Sequence, residues 1–256
     1  MRSSGGQQTQ VVSTGTDSSQ TQLHMLTDVQ RQGVGVDPKE FADYKKFYME
    51  NHEPAKKIQL GKAFLQKYPK STLSEAVDAE LVMAYVERQD WPNVYATADQ
   101  ALALKPDDVD VLTTVGWVIP HVYRPDDPDA DQLLSKAEGY EKRAVEALEN
   151  MPKPAGVTDS QFTALKEQKF LQAHSALGLV YFRRDDYDLS AKELQQTVTN
   201  NPHPDPTDLY VLGVDLDNLK RTSEAAEVFD RCATMQSSLQ GRCKESADAM
   251  KKGATR

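Results

Sequence analysis

The chain contains no long apolar run. The longest candidate, around Val115 to Val122, is interrupted by Gly116 and Pro120 and falls well short of the roughly 18–20 residues that a membrane span requires. Cysteine is nearly absent. Cys232 and Cys243 are the whole complement, and neither a Cys-x-x-Cys pair nor histidines at ligand spacing accompany them, so a metal site is not expected. The histidines His24, His52, His121, His174 and His203 lie far apart. None sits beside a Ser or Cys in a nucleophile setting, and no glycine-rich loop could cradle a phosphate. An enzyme is therefore not expected, nor a cofactor. Basic stripes are missing too. The net charge is −9, with Lys and Arg scattered among acids as on solvated helix faces, which argues against nucleic acid or an anionic membrane as partner.

The 256 residues are 39% hydrophobic, enough for one elongated domain or two compact ones. Residues 1–36 are rich in Ser, Thr, Gln and Gly and bury too little to offset the entropy of ordering, so they are expected to be a flexible arm. The first residues carry only Arg2 and then small polar side chains, without the apolar segment of a secretory signal. As written, the chain is expected in the cytoplasm. A periplasmic or membrane-tethered location is the alternative if the N-terminus is trimmed or mis-started.

From Asp37-Pro38 onward helical periodicity takes over, with Pro38 suited to a first helical turn. The most informative feature is a repeat. Leu81, Tyr85, Trp91, Ala98, Leu102 and Pro106 recur 96 residues later as Leu177, Tyr181, Tyr187, Leu194, Val198 and Pro202. Each copy has the order of a helical hairpin: an apolar helix with an aromatic near its end, an Asp-containing turn, a second helix and a stop proline. Small residues such as Gly116, Gly178 and Gly213 would let the two backbones approach, while Tyr85, Trp91, Tyr181, Tyr187 and Phe229 would fill the spaces between hairpins.

The same register lays down units near 38–71, 75–108, 109–152, 171–204 and 206–239, followed by a polar capping helix at 240–252. The first unit is degenerate, with Lys57 and Gly61 at expected core positions, as suits a terminal repeat. The third is stretched by an inserted loop at 123–131, whose two prolines and four aspartates disfavour helix, and Pro120 should end the preceding helix early. A second insertion, Lys153 to Ser160, precedes the long helix that opens the fourth unit, with Asp159 or Ser160 as its expected cap.

These residues resemble the tetratricopeptide repeat family, whose unit is about 34 residues long and whose hairpins bury their apolar faces only by stacking. The resemblance covers about 38 to 239, strongest in the second and fourth units. It implies an all-α fold, a right-handed α-α superhelix of five hairpins plus the C-terminal cap. It also implies a concave surface lined by first helices that holds a peptide or a partner's helix. The inward positions would be Ala42, Lys46 and Met49, then Ala79, Met83 and Val86, then Thr113, Trp117 and His121, then Ser175, Leu179 and Phe182, then Tyr210, Val214 and Asp217. The Lys and Asn set with which chaperone-binding members clamp a carboxylate is missing, since only Lys46 is firmly basic.

Two other features carry chemistry. Asp127, Asp129, Asp131 and Glu138 match most of a calcium-loop spacing, but Gln132 replaces the required glycine, and Asp129 or Asp131 capping the next helix is the simpler alternative. Cys232 occupies a core position and reads as a buried thiol; a bridge to Cys243 is open to it in an oxidising compartment. The expected function is a non-catalytic scaffold that binds a protein or peptide partner in its groove, self-association being a further option. An architectural component of a cell-envelope assembly is the alternative, and a ligand-binding or enzymatic role comes third.

Overall fold

The computed structural model describes residues 35–254 except 155 and 200; the expected arm at 1–36 lies almost wholly outside them. The described residues form eleven helices and no strand. They are α1 (Pro38–Tyr48), α2 (Pro54–Lys67), α3 (Ser74–Glu87), α4 (Trp91–Leu104), α5 (Val109–Val122), α6 (Ala130–Asn150), α7 (Asp159–Arg183), α8 (Tyr187–Val198), α9 (Pro206–Asn218), α10 (Thr222–Ala233) and α11 (Gln240–Ala254). Consecutive helices pair as antiparallel hairpins, and first helices also lie side by side: α1 on α3, α3 on α5, α5 on α7 and α7 on α9. Contacts between elements reach only one or two helices along the chain, the pattern of a one-dimensional stack.

Local chemistry explains where the helices begin and turn. Asp37, Asp108, Asp186 and Asp205 each accept backbone N–H bonds at the start of α1, α5, α8 and α9, satisfying donors that a first turn leaves orphaned. The turns inside the second, fourth and fifth hairpins share one device. Gln89, Asp185 and Lys220 take φ of 56°, 58° and 63°, and the next residue's N–H returns to a carbonyl five positions back, as in Asp90 to Tyr85 and Asp186 to Tyr181. This left-handed C-terminal closure is rarely adopted by non-glycine residues. Gln89 and Asp185 carry the same 96-residue offset as the apolar repeat.

Two local expectations are corrected. Pro120 lies inside α5, which continues to Val122. Its missing N–H leaves the Gly116 carbonyl without that intrahelical partner, but only two helical residues follow it, and its own carbonyl, one of those a last turn leaves unpaired, accepts from Arg183 Nε at 3.2 Å. The cap of α7 is Thr158 rather than Asp159 or Ser160: Thr158 and Gln161 bond reciprocally to each other's backbone N–H, because a Thr followed three residues on by Gln forms a capping box.

The buried apolar residues form two clusters. One runs from Tyr44 and Phe47 of α1 through Leu81, Ala98, Leu112 and Leu134 to Val180 of α7. The other runs from Leu179 of α7 through Leu194, Leu212 and Phe229 to Cys243 and Ala247 of α11. Adjacent positions of α7 thus wall two different cores. Within the hairpins the helices cross closely: a Cβ on Gly178 would stand 2.5 Å from Leu194 Cγ, and one on Gly213 would stand 2.6 Å from Phe229 Cε1. At the stack's start, buried Lys57 lies between Glu80, Asn51 and the rings of Phe47 and Tyr48, which is how the degenerate unit accommodates a charge in its core.

Carboxyl groups are buried between hairpins. Asp208 of α9 accepts from Ser175 of α7 at 2.7 Å, and burial pushes its pKa up to about 6, with that bond acting against it. Asp215 meets Ser190 of α8 at 2.6 Å, while Ser190 Oγ also lies 2.9 Å from the Gly178 carbonyl. A hydroxyl has one proton, so Ser190 donates to Asp215 when that carboxyl is ionised, and can donate to Gly178 while accepting from Asp215 when it is protonated. Burial favours the protonated arrangement, pushing Asp215 up to about 7, with the Ser190 bond acting against it. Glu141 of α6, fully buried in the space left by Gly116 of α5, has its pKa raised well above the usual carboxylate range by desolvation, which Lys169 opposes.

Two expected outcomes follow from this packing. Gly178→Ala gains about 1 kcal/mol of intrinsic helix propensity but must displace Leu194; a net loss of about 1–3 kcal/mol in denaturant unfolding is expected. Because Asp208 and Asp215 bind protons more tightly folded than unfolded, their favourable contribution is complete below pH 4 and is lost as pH rises through about 6 and 7. Stability measured at pH 5 should exceed that at pH 8, and Asp215→Asn, which keeps a donor for Ser190, should recover about 2–4 kcal/mol at pH 8 and little at pH 5.

Candidate functional site

The first helices form a continuous layer, and the inward positions differ along it in accessibility. On α1, Ala42 and Lys46 are exposed, as is Met49 just beyond its end, with 53% of its surface accessible. On α3, Ala79, Met83 and Val86 are half-buried. Ala79 and Val86 lean on the N-terminal core, whereas Met83 belongs to neither cluster. On α5, Trp117 is half-buried, likewise outside both clusters, and His121 is exposed.

The later helices present less. Leu179, expected in the groove, is only 3% exposed and is a member of the C-terminal core. Thr113 and Ser175 are buried as well. Thr113 donates to the Val109 carbonyl and Ser175 to Asp208, because their small hydroxyls sit where α7 packs on α5 and α9 on α7. Phe182, Tyr210 and Val214 are half-buried and packed against the C-terminal core, and Asp217 is half-buried on the same face of α9. The Phe182 ring meets Tyr187 at 6.3 Å and the Tyr210 ring meets Phe229 at 5.9 Å. Trp91 also packs against the N-terminal core, while Tyr187 is half-buried and donates to Asp185 at 2.7 Å.

Trp117 and His121, one helical turn apart, stack with ring centroids 3.8 Å apart, and His121 Nδ1 lies 2.6 Å from the Trp117 carbonyl. Since that oxygen can only accept, Nδ1 carries the proton, which leaves Nε2 of the neutral ring as an acceptor. Solvent reaches the imidazole, yet protein surrounds it closely enough that desolvation holds its pKa below the ordinary value, against the pull of the carbonyl bond and of Asp205. Asp205 precedes α9, two hairpins along.

Arg183 lies beside His121 at a position that the register did not single out. At the end of α7, its Nε donates to the Pro120 carbonyl and its guanidinium lies 5.8 Å from the Tyr123 ring centroid, so it fastens α7 to the end of α5. No spacing in the sequence announces this contact.

The acidic segment after α5 does not converge on an ion. Asp129 occupies the position before α6 without a side-chain capping bond. Glu138 is engaged elsewhere: Lys142 Nζ at 2.6 Å, Tyr181 Oη at 3.1 Å and Arg184 all donate to it. Desolvation alone would raise its pKa, but these donors draw it down to about 2. Among the described residues no group of three or more His, Cys, Asp or Glu is placed to hold a metal ion, and no helix is long and apolar enough to cross a membrane.

No protein-family model and no curated protein matches the chain. Solved structures do. PilW, titled a widely conserved type IV pilus biogenesis factor, superposes with a TM-score of 0.53 at 14% identity, over 85% of this chain and 91% of that one. MamA from residue 41 onward, from Desulfovibrio magneticus RS-1, gives 0.51 at 15% identity, over 77% and 94%, and a MamA double mutant gives 0.52. Identities this low speak to the fold alone, and that fold, eleven helices stacked as successive hairpins, is a tetratricopeptide-repeat-like superhelix.

Proposed function

We propose that the chain is a non-catalytic scaffold that takes up a peptide or helix of a protein partner on the inward surface of its first helices, with the accessible stretch from Met83 and Val86 to Trp117 and His121 as the main seat. One observation carries this reading. Met83 and Trp117 are large apolar side chains on the adjacent helices α3 and α5, both partly open to solvent and neither a member of a core cluster. A folded chain gains nothing from leaving such groups half-covered, and buried aromatic anchors dominate protein interfaces. A surface already assembled by stacking would also bind with little ordering cost of its own.

Lys46 and Met49 would extend this seat at one end; Phe182, Tyr210, Val214 and Asp217 would be its narrower continuation. The latter side chains are already committed in part to packing. Their removal would therefore weaken both fold and binding.

Capture of partners from the native lysate by the wild-type chain, Trp117→Ala and Met83→Ala provides the test. The expected outcome for each variant is a stability change below about 1.5 kcal/mol and a loss of roughly tenfold or more in capture. Trp117→Ala should also raise the His121 midpoint in an NMR titration, because water regains the ring face. A stability loss of about 3–5 kcal/mol would assign Trp117 to the core, and undiminished capture would remove the groove from the function.

A further inference from the structure

We propose that Cys232 and Cys243 are an oxidative modification site, closed into a disulfide by a thiol–disulfide oxidant as the chain folds, and that this bond holds the C-terminal cap on the stack. The protein then works in an oxidising compartment. This inference is independent of what the groove binds.

The two sulfurs are joined in the structure, between α10 and α11, with Cα atoms 5.7 Å apart and the residues eleven positions apart in sequence. Both cysteines are fully buried. The Cα separation lies at the commonest value for bridged pairs, so no backbone movement is needed to form the bond. What makes it consequential is how little else fastens α11. Among its described side chains only Cys243 and Ala247 are buried, with Met250 partly so. The other ties are the Lys251 to Asp230 ion pair at 2.8 Å, both partners about half exposed, and the bond from Gln240 to the Ala233 carbonyl at 3.1 Å. Exposed pairs of that kind contribute little. Yet α11 covers Cys232 and Phe229, the last apolar residues of the C-terminal core, and a stack without its terminal cap exposes such a face.

The chemistry balances as a dithiol–disulfide exchange. One cysteine thiolate attacks the oxidant's disulfide and expels one of its sulfurs; the second cysteine thiolate then displaces the other. The chain loses two protons and two electrons, and the oxidant leaves as a dithiol. Because both sulfurs end fully buried, the exchange precedes docking of α11, while the nascent chain is still open to the oxidant. Cytosolic thiol pools oppose that reaction, whereas extracytoplasmic compartments sustain it.

The experiment is intact-mass analysis of the full chain from its native host, quenched in acid and alkylated under denaturing conditions with and without prior reduction. The expected result is no alkylation and a mass about 2 Da below the dithiol form, with two alkylated cysteines after reduction. Hydrogen exchange of the same protein, oxidised and reduced, should show protection of α11 falling at least about tenfold on reduction while α3 to α6 are unchanged. Cys232→Ala with Cys243→Ala should reproduce that local loss and lower Tm by roughly 5–10 °C. If that variant does not fold, reduced wild-type chain decides the matter. Two alkylatable thiols in the host protein would overturn the modification, and equal α11 protection in both redox states would overturn the lock.

Discussion

The closeness with which the two helices of a hairpin cross is the constraint on which the structure depends. Leu194 and Phe229 occupy the space that a side chain at Gly178 or Gly213 would need, so in the fourth and fifth hairpins the second helix lies down on its first helix with an apolar side chain resting on bare backbone, and in the third Glu141 takes that place at Gly116. That approach buries one face of the pair. It leaves the opposite face greasy, and only the next hairpin can cover it. The side-by-side layer of first helices and the two continuous cores follow from stacking closely crossed hairpins.

Polar groups enter the interfaces under strict terms. Ser175 and Asp208, or Ser190 and Asp215, place a hydroxyl from one hairpin against a carboxyl of the next, and burial shifts both carboxyls toward the neutral form. Glu138 shows the opposite solution. It lies nearer the surface, meets Lys142, Tyr181 and Arg184, and stays ionised to very low pH. Two acids with the same chemistry thus do different work according to whether donors or hydrocarbon surround them.

The all-α class, the stacked hairpins and the polar helix after the last of them were legible in sequence, because apolar periodicity and the offset between Leu81 and Leu177 report directly on which faces are buried. The site was legible only in part. Helical register places Leu179 inward as readily as Phe182, but Leu179 is a member of the C-terminal core, and which inward positions become covered depends on how neighbouring hairpins pack rather than on register within one helix. Trp117 and Met83 stand clear for the same nonlocal reason. Pro120 shows the limit of a local rule, since a contact from Arg183 of the next hairpin helps hold the helix end that a proline would otherwise loosen. Gly116 was legible as small but not as the recess for Glu141, a partnership across two helices that no spacing announces.

The division of the interior at α7 bears on how the molecule could be taken apart. Val180 belongs to one core and Leu179 to the other, so a single helix serves as the shared wall of two rooms. No cut in the chain separates them cleanly. A fragment ending before α7 would leave the N-terminal room without its far side, and a fragment beginning after it would do the same to the C-terminal one. The five pairs and the cap therefore stand or fall as a continuous building rather than as two houses joined by a corridor.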